Sequence, residues 1–240
     1  MLMNRMILLM LAFLAGLILV GCDAVTGEDD DSSSDKKDNG TTPLILTGTS
    51  GNDVNMNGTW SRGCTGSGPF SDTEFIFDGT QFTGNNLEWL SGTGCVGGND
   101  ISTTVAGLAV RDQAVAGYTW VDANGGGSTA PAGLENTTDV NGMTTTMTSA
   151  QATPETQAGA DALNGKVECG LTDWAVGVTK DVLDCFLGGG DAESKDTWLV
   201  DDTTSTTTTT QYGAPDEPTA FDATGYPTQI ENFDPLVRTE

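Results

Sequence analysis

The sequence predicts an all-β fold, an antiparallel β-barrel or β-sandwich with one short helix and two disulfide bonds. Glycine, which accounts for 32 of the 240 residues, and threonine are abundant, whereas good helix formers are scarce. Short segments of high strand propensity are separated by turn residues. Four cysteines in the body of the chain form an even set, which is typical of exported domains held together by disulfides.

The N-terminal segment predicts an export signal that ends at a cysteine. Arg5 supplies a positive charge, an apolar stretch runs from residue 6 to residue 20, and the small residue Gly21 precedes Cys22. The apolar stretch is shorter than the roughly 20 residues that a membrane-spanning helix needs. The letters LVGC resemble the lipobox of bacterial lipoproteins, which implies cleavage before Cys22 and lipidation of that residue. The alternative is an uncleaved apolar anchor.

These features divide the chain into three parts. Residues 1–21 are the predicted signal peptide, residues 22–43 the lipidated cysteine with a disordered acidic tether, and residues 44–240 the β-rich ectodomain. The tether has almost no apolar side chain to bury, whereas the ectodomain is long enough for one domain with a sizeable core. The expected location is the bacterial cell envelope, on its periplasmic or cell-surface side.

Charge and composition exclude several classes of function. The chain has 9 Lys and Arg against 34 Asp and Glu, a formal net charge of −25. Since phosphate binding needs clustered basic residues, we expect no nucleic acid partner. Histidine is absent, which removes the usual general base and the commonest zinc ligand. We therefore predict no catalytic residue, no metal, no cofactor and no enzyme activity. A hydrolase using two carboxylates stays an alternative.

One glycine-rich loop has part of the sequence pattern of a calcium site. The segment 122–128, DANGGGS, begins like a loop of oxygen ligands. Gly133 stands where the closing glutamate of a calcium loop would be. This loop therefore does not support a metal prediction.

The four cysteines are predicted to form the bonds Cys64–Cys95 and Cys169–Cys185. Four cysteines allow three connectivities, and pairing near neighbours closes loops of modest length. Each such bond is expected to stabilise the fold by about 3–4 kcal/mol in the chain-entropy model. Neither pair has the short spacing of a zinc site.

The clearest predicted hairpin is TEFIFDGTQF, with its turn at residues 78–79. Pairing across this turn sets Phe75 opposite Phe82 and Phe77 opposite Thr80. The three phenylalanines then share one buried face. Two further hairpins are predicted, with turns at Asn141-Gly142 and at Asp201-Asp202.

A short helix is predicted within ATPETQAGADALNGK. Thr153 is suited to cap it, Pro154 to occupy its first position, and Asn164-Gly165 to end it. The following segment alternates Trp174, Val176 and Val178, which predicts a strand with these side chains on one face.

The residues Gly58-Thr59-Trp60 resemble the G-x-W start of lipocalin-like barrels. The resemblance implies that Trp60 lies at the closed end of a barrel and that Arg238 stacks over it. More of the chain resembles a group of bacterial lipoproteins, through G-T-W followed by Cys64, the F-x-G hairpin, Cys95, the CGLTDW segment and the GYPT segment near the C-terminus.

The expected function is a membrane-anchored envelope lipoprotein that binds a small apolar ligand in a β-barrel. The candidate pocket residues are Trp60, Trp120 and Trp198, although large aromatic side chains also fill cores. The alternative is a structural or protein-interaction module of the envelope. Such a module would contact a partner protein through loops such as 124–128 and 188–191.

Overall fold

The computed structural model describes residues 42–122, 126–135, 139–188, 190–203, 209–215, 218–232 and 235–239. The predicted signal peptide, Cys22 and nearly all of the acidic segment lie outside these ranges, as do Asn124, residue 189 and residues 204–208. Within the described ranges, no helix has the length and apolarity needed to cross a membrane.

Strands account for most of the regular secondary structure in the described ranges. They are β1 (Ile45–Thr47), β2 (Asp53–Asn55), β3 (Gly58–Gly66), β4 (Phe70–Asp78), β5 (Gln81–Trp89), β6 (Ile101–Ala116), β7 (Thr119–Val121), β8 (Asp139–Pro154), β9 (Lys180–Asp181), β10 (Glu193–Asp201), β11 (Thr210–Tyr212), β12 (Gln229–Glu231) and β13 (Leu236–Arg238). The helices are α1 (Gln157–Lys166) and α2 (Leu183–Phe186), with a 3-10 turn over Glu168–Gly170 between them.

Eight of these strands form a closed antiparallel barrel. Their order is β10-β11-β13-β3-β4-β5-β6-β8, and β8 pairs back to β10. Closure removes the free edges that a sandwich would leave. The all-β prediction is confirmed, and of its two forms the barrel is the one observed. The short strand β9 extends the ladder beside β8, while β1–β2 and β7–β12 form two small separate sheets.

The first predicted hairpin forms, with a turn one residue later than expected. Asp78 pairs with Gln81 and Phe77 with Phe82, so the turn residues are Gly79 and Thr80. Gly79 has a φ of 63°, the conformation that a two-residue hairpin turn requires. The three phenylalanines still share one face, with ring centroids 6.2–6.5 Å apart.

The predicted turn at Asn141-Gly142 is wrong, because both residues lie inside the long strand β8. The Asn141 side chain is buried, accepts a hydrogen bond from the Thr47 amide and donates to the Thr47 and Trp198 carbonyls. At residue 142 a Cβ atom would lie 3.1 Å from the Tyr226 ring. Contacts distant in sequence therefore keep both residues extended.

The third predicted hairpin exists, but it does not turn at Asp201-Asp202. Asp201 pairs with Thr210, so residues 202–209 connect β10 to β11. The Asp201 carboxylate accepts from the Thr49 hydroxyl, and the Asp202 carboxylate accepts from the Ser50 amide. These bonds fix the end of β10 to the β1–β2 hairpin.

The predicted helix forms, but it starts later than expected. Thr153 and Pro154 are the last residues of β8, and Thr156 caps α1 by accepting a hydrogen bond from the Gly159 amide at 3.1 Å. Pairing with β6 keeps Thr153 and Pro154 in the sheet. The prediction of one helix also omitted the short helix α2.

The strand predicted across residues 174–178 is wrong. Trp174 is 4% exposed, whereas Val176 and Val178 are 46% and 47% exposed. The chain turns here at Gly177, whose φ is 72°. Strand structure starts only at Lys180.

Candidate functional site

One end of the barrel is filled by packed side chains, and we call it the closed end. Side chains that face each other across paired strands share a face, so the register identifies the inner positions. The inner side chains at this end form a single buried cluster: Trp60, Phe77, Ala109, Met143, Trp198, Val200 and Leu236, together with Leu44, Leu46 and Met56 from the N-terminal hairpin region. The N-terminal hairpin therefore helps to seal this end.

Trp60 is the centre of the closed end. It is fully buried, and its indole N–H donates to the Met56 carbonyl at 2.7 Å. The Arg238 guanidinium lies 5.9 Å from the Trp60 ring centroid, as the lipocalin-like resemblance implies. The same guanidinium donates to the carbonyls of Asn55 and Asn57. This arginine ties the last strand to the turn before the first barrel strand.

The opposite end of the barrel interior opens into a pocket, which we call the mouth pocket. In the register, Glu88 faces Ile101, Asn86 faces Thr103, and Thr103 faces Ala152, so these residues belong to the inner face. The residues after β8 cover this end. The pocket is open to solvent and has a cavity volume of about 40 Å³, and its lining consists of Asn86, Glu88, Ile101, Thr103, Ala152, Leu163, Lys166, Glu168, Cys169, Val182 and Phe186.

Glu88 places a buried carboxyl group in the mouth pocket. Its side chain is 6% exposed, and burial raises the pKa of Glu88 above its ordinary value. The charge of Lys166 acts in the opposite direction on this pKa, and the charge of Glu168 adds to the rise. The Asn86 amide donates to the Glu88 carboxyl over a long 3.4 Å and accepts from the Thr73 hydroxyl.

Lys166 places a buried amine in the same pocket. It is the last residue of α1, and its Nζ atom is shielded from solvent with no hydrogen-bond partner among the described residues. A buried donor that lacks an acceptor costs free energy, more so when it is charged. The position of Lys166 therefore favours a ligand that supplies an acceptor.

The backbone between Lys166 and Cys169 is strained. Among the described residues, the non-glycine positions with positive φ are Val167 at 52° and Cys169 at 57°. Such conformations cost on the order of 1–3 kcal/mol each and are frequent at functional sites. The two strained residues flank Glu168, and Lys166 and Glu168 both line the mouth pocket as a result.

Both disulfides are confirmed, and both lie at the end of the barrel that holds the mouth pocket. Cys169–Cys185 joins the 3-10 turn to α2, with Cα atoms 5.1 Å apart. Cys64–Cys95 joins the end of β3 to the loop after β5. The neighbouring residue Thr65 pairs with Ser71, which in turn pairs with Glu88. The covalent cross-links thus reinforce the end where Leu163 of α1 and Phe186 of α2 pack against the barrel strands.

One group of potential metal ligands lies near the pocket. Glu168, Cys169 and Cys185 offer ligand atoms within 4.8 Å of one another. Because the two sulfur atoms are bonded to each other, they are not thiolate ligands. The chemistry of this group does not fit a metal ion.

The structure places the three tryptophans of the predicted pocket in two different clusters. Trp60 and Trp198 lie together at the closed end, where Trp198 packs edge-on against Phe77 at 5.8 Å. Trp120 belongs to a cluster on the outer face of the barrel, against Tyr118 and Tyr212. None of these three tryptophans is among the residues that line the mouth pocket.

Sequence reasoning missed the residues that line the pocket, although one signal was present. In β5 the inner positions run from Phe82 through Gly84 and Asn86 to Glu88, so one face changes from apolar to charged. That change marks the point where polar side chains enter the interior. Lys166 gave no such signal, because its position depends on how α1 ends. Neither a family model nor a curated protein matches the chain.

Proposed function

We propose that this protein is a lipid-anchored envelope lipoprotein, without enzyme activity, that binds a small molecule in the mouth pocket of its barrel. One observation carries the proposal: the buried Glu88 carboxyl and the buried Lys166 amine line the same pocket without an ion pair between them among the described residues. Buried charged groups are normally paired, so an arrangement of this kind favours recognition of a ligand.

The rest of the pocket supports a ligand with an apolar body. Ile101, Leu163, Val182 and Phe186 form an apolar wall beside the charged groups. Ligand sites are usually apolar with a few polar groups that orient the ligand, and barrels of about eight strands hold one small molecule. We place the ligand here rather than at Trp60 and Trp198, because those side chains fill the closed end.

The path of the chain supports the anchoring part of the proposal. The described chain starts beside the closed end, where Leu44 and Leu46 are buried. The stretch of β8 from Asn141 at that end to Ala152 at the pocket spans roughly 35 Å at ~3.4 Å per residue. The tether from a lipid on Cys22 would therefore join the domain at the end of the barrel that is remote from the pocket.

Native mass spectrometry of the full chain, extracted from the membranes of an exporting cell, tests the binding function. We expect a small molecule in stoichiometric amount on the wild type, its loss from Lys166→Met, and its retention by the control Lys195→Met. Lys195 is a matched control because its amine bonds to the Thr224 carbonyl on the outside of the barrel. A wild-type protein that is empty, and stays empty after exposure to the small molecules of that cell, would overturn the proposal.

A second candidate function, a protein-interaction module, is favoured by the outer surface. Ile76 on β4 and Leu108 and Val110 on β6 are 40%, 36% and 45% exposed. They flank β5, where Thr83 lies opposite Ile76. Apolar side chains grouped on a surface favour contact with a partner. Loss of a co-purifying envelope protein from Leu108→Glu, with the pocket ligand retained, would support this function.

A further inference from the structure

We infer that the mouth pocket recognises a zwitterion, an α-amino acid with an apolar side chain, rather than a fatty acid or another ligand of single charge. This inference rests on the proposed binding function and names the ligand class. It follows from the signs and positions of three charged side chains, Lys166, Glu88 and Glu168, which line one pocket.

Lys166 and Glu168 both lie within electrostatic reach of Glu88. Lys166 and Glu168 both act on the ionisation of Glu88, in opposite directions. Lys166 nevertheless makes no ion pair with either acid in the described part of the chain, and its amine has no acceptor there. The positive and negative groups thus act on each other without forming an ion pair in the described part of the chain.

This arrangement of charges selects against ligands with one charge. A carboxylate is the natural partner of the Lys166 ammonium, but a ligand that carries only a carboxylate would lie near the like charges of Glu88 and Glu168. A ligand that carries only an amine would face the Lys166 charge. A molecule with both groups on neighbouring atoms satisfies the lysine and the two acids together.

The number of acceptors fits an ammonium group. An ammonium group has three N–H donors. The Glu88 carboxyl, the Glu168 carboxyl and the Thr103 hydroxyl all line the pocket and can accept hydrogen bonds. Two acids beside one lysine give the ligand's ammonium group more partners than its carboxylate group.

The pocket holds its charges in place before a ligand arrives. The strained residues Val167 and Cys169 and the Cys169–Cys185 bond fix the turn that carries Lys166 and Glu168. Groups that are already ordered lose less entropy on binding. Ile101, Leu163, Val182 and Phe186 belong to one packed apolar cluster beside the charged groups and line the pocket. The cavity of about 40 Å³ is room for roughly three water-sized groups, so it admits the charged end of an amino acid and no lipid chain, and the rest of the ligand lies in the open mouth.

Isothermal titration calorimetry on the full chain in lipid nanodiscs tests this inference. The probes are valine, leucine and phenylalanine, and for each of them the amine that lacks the carboxylate and the acid that lacks the amine. Dodecanoate is added as a fatty acid. Because each analogue loses a charged group and its charge-assisted hydrogen bonds, at least one amino acid should bind about tenfold or more tightly than both of its analogues.

Variants locate the two ends of the zwitterion. Lys166→Met and Glu88→Gln should each lower the affinity for the best amino acid by about tenfold or more. Lys195→Met and Glu74→Gln, outside the pocket, should leave it unchanged. Thermal unfolding shows whether each variant is folded, and the ligand series on the wild type decides the question even where a variant fails to fold.

The measurements distinguish a failure of the zwitterion inference from a failure of the proposed binding function. Equal or tighter binding of dodecanoate or of the single-charge analogues would overturn the zwitterion and leave the binding function standing. A wild type that carries a small molecule in native mass spectrometry but binds no amino acid would do the same. A wild type that is empty and binds none of the probes would overturn both proposals.

Discussion

The two ends of the barrel differ in the inner side chains that the same strands place there. At the closed end, inner side chains such as Trp60, Phe77 and Trp198 fill the interior. At the other end, a second buried cluster that includes Ile101, Ala152 and Val182 packs beside the mouth pocket, and Asn86 and Glu88 place polar groups there. The comparison separates an end that is filled from an end where charged groups line a small open pocket.

Two buried carboxyl groups sharpen this contrast. Asp196, on the inner face beside Trp198, accepts from the Trp198 indole at 2.5 Å, from the Thr197 amide at 2.6 Å and from the Ala214 amide. Glu88 accepts one long bond from Asn86. Asp196 is therefore satisfied by the protein itself, whereas Glu88 has capacity for a further donor.

The largest expected effect is at the closed end. Trp60→Ala should lower the free energy of unfolding by about 3–5 kcal/mol, because it opens a cavity in the core and removes the bond to Met56. Chemical denaturation measures this loss. Trp120→Ala, on the outer face, is the control and should cost less. Equal losses for the two variants would show that the closed end is not the centre of stability.

Removing the disulfide beside the pocket should cost about 3 kcal/mol, given a sequence separation of 16 residues. The double variant Cys169→Ala, Cys185→Ala tests this, with hydrogen exchange as the readout. Amides of α1 and α2 should exchange faster, while those of β3 and β10 at the closed end keep their protection. Uniform loss of protection across the barrel would mean that the two ends do not behave separately.

Asp196 should give the fold a pH dependence. Burial raises the pKa of Asp196 from 3.8 to about 6, with hydrogen bonds from Trp198, Thr197 and Ala214 acting against the rise. The folded protein therefore holds this proton more tightly than the unfolded chain, and the free energy of unfolding decreases as pH rises between 3.8 and about 6. The decrease is on the order of 3 kcal/mol.

The variant Asp196→Asn removes the titrating group and should flatten the part of the pH profile that falls in this window. Urea denaturation at several pH values measures the profile. Asp181→Asn, an exposed position on β9, is a suitable control. A profile for Asp196→Asn that keeps the slope of the wild type would assign the pH dependence to other acids.

Sequence alone identified those features that depend on local pattern or on simple counting. The all-β class, the hairpin that joins β4 to β5 with the face shared by Phe75, Phe77 and Phe82, and both disulfides belong to this group. Asn141-Gly142 has the local chemistry of a turn, but bonds to Thr47, 94 residues away, override it. Such contacts leave no local pattern in a single sequence.

Of the two charged groups in the mouth pocket, only Glu88 could be predicted from a local sequence pattern. Alternation along β5 places Glu88 on the inner face, and that alternation can be read from the sequence. Lys166 reaches the pocket because α1 ends at Val167 in a left-handed conformation, which a β-branched residue rarely adopts. A rare backbone conformation held by a disulfide cannot be derived from propensity.

Glu88→Gln should separate stability from binding. Because burial raises the pKa of Glu88, the charged carboxylate destabilises the fold at neutral pH, and the neutral amide should raise the unfolding temperature slightly. The same change should weaken ligand binding. Glu74→Gln, on the neighbouring strand β4, should change neither property. A lower unfolding temperature for Glu88→Gln would indicate that this carboxyl supports the fold instead of the ligand.

We expect the smallest effect on the domain from substitution of Cys22, the proposed lipidation site. Cys22→Ala should release the protein from membranes and leave its unfolding temperature and ligand affinity unchanged, because the chain joins the barrel at the closed end, roughly 35 Å from the pocket. Membrane fractionation and calorimetry on the same preparation measure both properties. Cys22→Ser is a matched control for loss of the thiol and should behave identically. Continued membrane attachment of both variants would assign anchoring to the apolar N-terminal segment, and a change in ligand affinity would show that the two ends of the barrel are coupled.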